Sequence, residues 1–271
     1  MRIAFLGGGN MADALIGGLL AKGFDAGSIS VIERLDAARE NIGAKHQVHA
    51  SAAADEATRA ADTLVLAVKP QDLRSAVSRF GDIVRDKLVI SIAAGVRLAD
   101  LSRWLGGHCR LVRSMPNTPA LIGAGIAALY ARPEVDAEDR GRAEAILGAV
   151  GATVWVDDER LLDPVTALSG SGPAYVFWFI EQLAESGAAL GLAPETARKL
   201  ALETVLGAAQ LAARSGEPAS VLRERVTSKG GTTEAALRVF DEEKLADRLR
   251  RALEAASRRG AELGEQLGRD P

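Results

Sequence analysis

The chain has 271 residues, 48% of them hydrophobic and 25% charged, with a formal net charge of −3. That length holds one large domain or two ordinary ones, the composition is globular, and the lack of a basic field argues against a nucleic-acid partner. One cysteine, Cys109, excludes an internal disulfide and fits a reducing, cytoplasmic compartment, and no run approaches the roughly 18 apolar residues of a membrane span.

The first predicted strand, Ile3–Leu6, runs into Gly7-Gly8-Gly9-Asn10-Met11-Ala12, and a helix carrying Leu15, Ile16, Leu19 and Leu20 follows. Strand, turn and helix in G-x-G-x-x-A spacing point to a dinucleotide site. Gly7 permits the sharp turn, Gly9 lets the backbone approach a pyrophosphate, and Ala12 allows close helix–strand packing. Free N–H groups at the helix start then hold the phosphates. The few residues before the glycines do not read as a signal peptide.

Further strands are expected at Ile29–Ile32, Leu64–Val68, Leu88–Ile92 and Leu111–Arg113, with Val48 in another short one. Helices are expected at Asp36–Ile42, Ser51–Ala60, Leu73–Phe80 and Leu98–Leu105. This alternation predicts a parallel, doubly wound sheet. Ile126–Tyr130 and Thr153–Val156 read as added edge strands around a helix near Ala137–Val150.

Past Asp157 the strands vanish. Pro173–Leu190, Pro194–Ala213, Ala219–Thr227 and Glu242–Leu267 read as helices punctuated by Gly191, Gly216 and Gly230-Gly231. The expected division is a dinucleotide-binding domain over 1–160 and a helical domain over 161–271, with a frayed end at Gly268–Pro271. Tyr175–Ile180 is apolar on every helical face and needs surrounding, which points to a subunit interface.

Glu33 ends the second strand, where an acid would bind the adenosine ribose hydroxyls and favour NAD. Arg34, next in the chain, could instead hold a 2′-phosphate or stack on adenine; a surface ion pair is the plain alternative. Ala67-Val68-Lys69-Pro70 ends the fourth strand at the edge where open sheets hold ligands, although a solvated lysine would look the same. Ala93-Ala94-Gly95 ends the next strand with residues small enough for a nicotinamide or ribose to pack close, or forms a plain turn.

Met115-Pro-Asn-Thr-Pro119 is a stiff loop in which Asn117 offers both a donor and an acceptor. Leu168-Ser-Gly-Ser-Gly-Pro-Ala-Tyr175 joins the domains as a hinge or a ligand loop. In Val226-Thr-Ser-Lys-Gly-Gly-Thr-Thr233, N–H groups of Gly231, Thr232 and Thr233 would face an anion such as a carboxylate, with Ser228 and Thr233 hydroxyls alongside. Two helices linked by glycine, with a threonine N-cap, is the alternative. His46 and His49 read as solvent-facing, and none of His46, His49 and His108 has zinc-like spacing to a partner, so no metal is expected.

Taken together and in order, Gly7–Ala12, Ala67–Pro70, Met115–Pro119, Leu168–Tyr175 and Val226–Thr233 resemble the pyrroline-5-carboxylate reductase family over nearly the whole chain. The resemblance implies a Rossmann domain binding NADP, with NAD possible, and a helical domain interlocked in a homodimer that often builds into decamers. It implies reduction of a cyclic imino acid, 1-pyrroline-5-carboxylate, to L-proline. By position it assigns the cofactor to Gly7, Gly8, Gly9, Asn10, Met11, Ala12, Glu33, Arg34, Ala67, Val68, Lys69, Pro70, Ala93, Ala94 and Gly95. It assigns the substrate to Ser228, Gly231, Thr232 and Thr233; of these Thr233, at the helix start with a hydroxyl to reach the ring nitrogen, is expected to be the catalytic residue. The chain departs from the family at Lys229, often Pro, and at Ser51–Asp55, where an Asn is common. A β-hydroxyacid dehydrogenase or imine reductase is a rival, with Lys199 at a possible place for its catalytic lysine, but the expected Asn four residues on is Glu203. A non-catalytic NAD(P) sensor is another, with no effector module to support it.

Overall fold

The structure is a computed structural model in which residues 1–269 are described. Its chain forms two compact units: Met1–Ser171 with the segment from Ala255 onward, and Gly172–Glu254.

The first unit contains β1 (Ile3–Leu6), α1 (Asn10–Ala21), β2 (Ile29–Ile32), α2 (Asp36–His46), β3 (His49–Ser51), α3 (Glu56–Ala60), β4 (Thr63–Leu66), α4 (Pro70–Val77), β5 (Leu88–Ser91), α5 (Leu98–Trp104), β6 (Leu111–Met115), β7 (Gly125–Ala131), α6 (Ala137–Leu147), β8 (Gly151–Trp155) and α7 (Leu162–Val165). The strands form one eight-stranded sheet in the order β3-β2-β1-β4-β5-β6-β7-β8. Strands β1 to β6 are parallel, in registers such as Ile3 opposite both Ile29 and Thr63. β7 runs antiparallel to β6, and β8 follows β7. The expected doubly wound sheet with two added edge strands is therefore present.

The residues explain why. β1, β2, β4 and β5 are buried at every position, as central strands covered on both faces must be. Side chains alternate between faces. Ile3 and Phe5 pack with Leu15, Ile16 and Leu19 of α1, while Ala4 and Leu6 pack with Leu73 and Val77 of α4 and Leu101 of α5. The sheet reverses its order between β1 and β4, which opens a crevice at the carboxyl ends of those strands.

Several boundaries differ from the expectation for local reasons. α3 starts at Glu56, not Ser51, because the Asp55 carboxylate accepts from the Thr58 N–H at 3.1 Å and closes a capping box. Residues 49–51 are drawn into the sheet instead, with His49 opposite Ser30; Val48 lies just before that strand. α4 begins at Pro70, a residue suited to a first helical turn, so the helix expected at Leu73–Phe80 starts earlier and ends at Val77. His46 is not solvent-facing: its side chain is 8% exposed and Nε2 lies 2.7 Å from Asp13 Oδ1.

The units also divide later than the expected 160/161 boundary. Arg113, in the buried middle of β6, lies 3.1 Å from Glu159 Oε1 and 3.6 Å from Asp163 Oδ1. Arg97 reaches Asp163 at 3.2 Å, and Glu159 also accepts the Leu98 N–H at 2.7 Å. These paired charges keep 159–165 on the sheet.

The second unit holds α8 (Gly172–Ala189), α9 (Pro194–Ser215), α10 (Ala219–Arg225), α11 (Thr232–Glu242) and the start of α12 (Leu245–Gly268). In α8 only Ala184 is buried, and Phe177 and Trp178 are 66% and 58% exposed. Beyond residue 254, α12 packs in the first unit, and the Gly268 carbonyl accepts from Arg103 Nη2 at 2.8 Å. The expected fraying thus does not begin at Gly268, which still belongs to α12; its last two positions, 270 and 271, lie outside the described residues. No helix among the described residues is long and apolar enough to cross a membrane.

Candidate active site

The glycine turn has the form its spacing requires. Gly7 has φ +102°, and a Cβ on it would lie 2.8 Å from the Ala67 carbonyl oxygen, so only glycine fits. Its N–H donates to the Ile32 carbonyl at 2.8 Å, and the Ala67 N–H donates to Leu6 at 2.8 Å. The turn is therefore tied to the ends of both neighbouring strands. Gly9 is the N-cap of α1, and a Cβ built on it would meet nothing within 4 Å. Beside that open space α1 begins with no side-chain cap, so its first N–H groups, from Asn10 to Ala12, face outward without intrahelical acceptors. A pyrophosphate fits such a cradle. Ala12 is buried beneath it.

Asp13, in the first turn of α1, does not oppose an anion there. It pairs with Lys45 at 2.6 Å and His46 at 2.7 Å. Burial pushes its carboxyl up, but the hydrogen bonds and charges of Lys45 and His46 together hold it below the usual carboxylate range.

At the end of β2 the Glu33 carboxylate accepts the Gly8 N–H and the Leu35 N–H, each at 2.9 Å. It thus faces the glycine turn. Arg34 is exposed. Arg39, which the sequence reading passed over, donates to the Glu33 carbonyl at 3.0 Å and to Asp36 at 2.7 Å, bracing this loop. Asp55, the last residue of the Ser51–Asp55 stretch, is committed to capping α3 and to His49 at 2.6 Å.

Ala67 and Val68 close over Gly7, while Lys69 is exposed at the N-cap of α4 with Pro70 behind it. Ala93 is buried and Ala94 half-buried after β5. Gly95 has a reason to be small other than a ligand. It has φ +80°, a Cβ there would meet Leu267 Cδ1 at 3.3 Å, and a Cβ on Gly264 would lie 2.8 Å from the Gly95 oxygen. The two glycines let α12 lie against this turn, a contact with no local signal in the sequence.

In the second unit, Ser228–Gly231 forms a turn that opens α11. Gly231 is the N-cap, extended at φ −84° and ψ 174°, and no side chain caps the helix. No threonine N-cap forms. The Gly231 N–H donates to the Ser228 carbonyl at 3.0 Å. Of the three N–H groups expected to face an anion, Gly231 is therefore spent within the turn, and those of Thr232 and Thr233 are left at the helix start. A Cβ on Gly231 would lie 2.5 Å from Ser228 Oγ, so that hydroxyl sits over the turn. Glu234 was not anticipated: its carboxylate accepts the Gly230 N–H at 2.7 Å. A glycine followed by Glu four residues later at a helix start was the available signal.

Lys199, the possible catalytic lysine of the dehydrogenase reading, is exposed on α9. The Asn117 amide binds the Ser169 carbonyl and the Ile126 N–H, at 3.2 and 2.9 Å, so the Met115–Pro119 loop is anchored within the first unit.

Comparison with known proteins agrees with this layout. A family model described as pyrroline-5-carboxylate reductase dimerisation matches residues 159–263, and one described as NADP oxidoreductase, coenzyme F420-dependent, matches residues 2–95. A pyrroline-5-carboxylate reductase of Pseudomonas aeruginosa is 45% identical over 98% of both chains. A solved pyrroline-5-carboxylate reductase from Coxiella burnetii superposes with a TM-score of 0.92 at 41% identity, covering 97% of this chain and 98% of that one. A Plasmodium falciparum pyrroline carboxylate reductase, solved with NADP bound, superposes with a TM-score of 0.84 at 27% identity, over 97% and 98%.

Proposed function

The chain belongs to the pyrroline-5-carboxylate reductase family, and from that premise we propose how its residues reduce 1-pyrroline-5-carboxylate to L-proline. One observation carries the reading: a single chain has an open phosphate cradle at Gly9 and a second open helix start at Thr232-Thr233.

In the first unit, the Asn10–Ala12 N–H groups hold the pyrophosphate of NADPH, with NADH as the second cofactor. Glu33 and Arg34 flank its adenosine ribose. Val68, Lys69 and Pro70, with Ala93 and Ala94, line the carboxyl edge of the sheet where the rest of the dinucleotide lies. When bound, this cofactor supplies the hydride that reduces the C=N bond.

In the second unit, the Thr232 and Thr233 N–H groups hold the substrate carboxylate at the positive end of α11. The Thr233 hydroxyl orients the ring nitrogen, and Ser228 stands beside it. The protonated imine already carries the proton its nitrogen needs, so no strong general acid is required. The work of these residues is orientation. Gly231 shapes the turn and leaves room for the Ser228 hydroxyl.

The protein is a homo-oligomer. We take the unit of assembly to be a homodimer, with a decamer of five dimers as its further form; the exposed apolar side chains of α8 support a partner there. The single Cys109 supports action in the cytoplasm. Light scattering should return at least twice the 28.4 kDa chain mass; the chain mass alone would refute the dimer.

The test of function follows NADPH absorbance with racemic 1-pyrroline-5-carboxylate, and with 1-pyrroline, which lacks the carboxylate, as control. Rapid oxidation with the first and slow oxidation with the second is expected. Equal rates would show that Thr232 and Thr233 do not hold a carboxylate, and no oxidation with either would overturn the reading.

A further inference from the structure

The carbonyl of Ser169 has lost its ordinary partner. In a continuing α-helix it would accept from the N–H of residue 173, but that residue is Pro173, which has none. Residues Thr166–Gly170 form a π turn, in which the Ser171 N–H reaches back five residues to the Thr166 carbonyl at 2.8 Å. Such turns recur at functional sites.

A side chain far along the chain replaces the missing donor. Asn117 Nδ2 donates to the Ser169 carbonyl at 3.2 Å, and Asn117 Oδ1 accepts the Ile126 N–H at 2.9 Å. The two partners are of opposite kinds, so they fix which way the amide faces. Neither aspartate nor an aliphatic residue satisfies both. The same contact is closed by Met115: a Cβ on Gly170 would lie 2.5 Å from Met115 Cε. The rigid loop Met115–Pro119 at the carboxyl end of β6 is thereby held to the π turn at two points.

We propose that Asn117 is a positioning residue, whose amide clamps the Met115–Pro119 loop to the π turn and sets one wall of the crevice at the sheet's carboxyl edge. It acts on the reaction through that wall, touching neither substrate nor cofactor. The inference rests on the reductase reading for its kinetic consequence, though not for the clamp itself.

Pro173 provides the test. Changing Pro173→Ala restores an N–H opposite the Ser169 carbonyl and so makes the Asn117 donor partly redundant. Asn117→Ala should lower kcat per folded molecule roughly 10- to 100-fold, as small misplacements do. KM for NADPH should move less than about threefold, because the glycine turn is untouched. The primary isotope effect with nicotinamide-deuterated NADPH should rise, which a loss of folded protein would not cause. Asn117→Asp, which keeps only the acceptor, should behave like Ala. In the Pro173→Ala background the kinetic loss on Asn117→Ala should persist, because a donor on residue 173 satisfies the carbonyl without holding the loop.

Amide exchange read by mass spectrometry gives an answer independent of activity. Asn117→Ala should speed exchange at Ile126 and over 166–171, and Pro173→Ala should suppress the second effect but not the first. Should Asn117→Ala not fold, Asn117→Asp carries the comparison over 166–171. A kinetic loss abolished in the Pro173→Ala background, or unchanged exchange over 166–171, overturns the clamp. An inactive native chain whose exchange still follows this pattern overturns the reductase reading instead.

Discussion

Changing Glu33→Gln separates two demands made of one side chain. Each carboxylate oxygen accepts one backbone N–H, from Gly8 and from Leu35, so the group staples the glycine turn to the loop after β2. Its charge also sits where an acid favours ribose hydroxyls and opposes a 2′-phosphate. Glutamine keeps one acceptor, turns an NH₂ toward the other N–H, and removes the charge. The lost charge-assisted bond is worth roughly 1.5–3 kcal/mol when buried. It is worth less here, where Glu33 is half-buried, and it affects both cofactors alike. The repulsion of a 2′-phosphate acts on NADPH only. Like charges about 5–6 Å apart repel by roughly 0.8–3 kcal/mol as the effective dielectric falls from about 80 to about 20. Salt and the open turn keep the value in the lower half of that range. About 1.4 kcal/mol is tenfold in rate. The ratio of kcat/KM for NADPH to that for NADH should therefore move about tenfold toward NADPH, while kcat/KM for NADH falls several-fold. Arg34→Ala should move the ratio the other way. Initial rates with each cofactor varied, at low and at high salt, measure both effects, and the shift should shrink with salt. An equal fall for both cofactors, leaving the ratio unchanged, would refute the electrostatic role and leave Glu33 as a staple alone.

Three further outcomes are expected. Thr233→Ala keeps the α11 N–H groups but removes the hydroxyl, so kcat/KM for the imine should fall roughly 10- to 100-fold with the KM for NADPH nearly unchanged; near-normal turnover would pass the role to Ser228. Gly9→Ala adds a Cβ that meets no protein atom within 4 Å, so the melting temperature should stay within a few degrees. Binding of NADPH by fluorescence titration should weaken at least tenfold, because the methyl enters the pyrophosphate cradle, and tight binding would refute that placement. Burial pushes the Asp55 carboxyl up, but hydrogen bonds from His49 and Thr58 dominate and bring it down to about 2. A depressed carboxylate lends stability above its unfolded value of about 3.9 and loses it as pH falls toward 2. Asp55→Ala should therefore cost about 1 kcal/mol at pH 7 through the lost helix cap, and its melting temperature should converge on the native one between about pH 4 and pH 2; a constant gap would show that the cap does not titrate.

What could be read in advance follows from how far apart the determining atoms lie in the chain. β1, β2, β4 and β5 are buried on both faces, and so appear as unbroken apolar runs that need no partner to be recognised. The glycine turn is local in its backbone, since the φ of +102° at Gly7 and the space at Gly9 arise within one strand–helix junction, although the Ala67 carbonyl that a Cβ on Gly7 would strike comes from the end of β4. By contrast, Gly95 owes its smallness to Gly264, which only the folded chain brings near. Arg113 could not be seen as buried until Glu159 and Asp163 arrived to neutralise it, since a lone arginine in a strand reads as a sign of an exposed edge.

The Ser228–Thr233 turn shows where residue type alone misleads even at short range. Three successive N–H groups were expected to face outward, yet the first folds back onto Ser228 and the Gly230 N–H takes the Glu234 carboxylate. A helix start has fixed donors but movable acceptors, so each side chain within reach competes with the ligand for them. The Thr232 and Thr233 N–H groups escape that competition because no side chain caps α11. The same reasoning applies to α1, whose first N–H groups are left open for the same reason. A helix with glycine at its N-cap gives up only about a few tenths of a kcal/mol relative to Ser or Asp there. This chain forgoes it at Gly9 and at Gly231, yet caps α3 and α6 with Asp55 and Asp136. α2, α4, α5, α9 and α10 lack a side-chain cap as well, so a bare start does not by itself mark a ligand; at α1 and α11 it matters because, in the proposed reaction, a capping carboxylate would repel the anionic group to be bound.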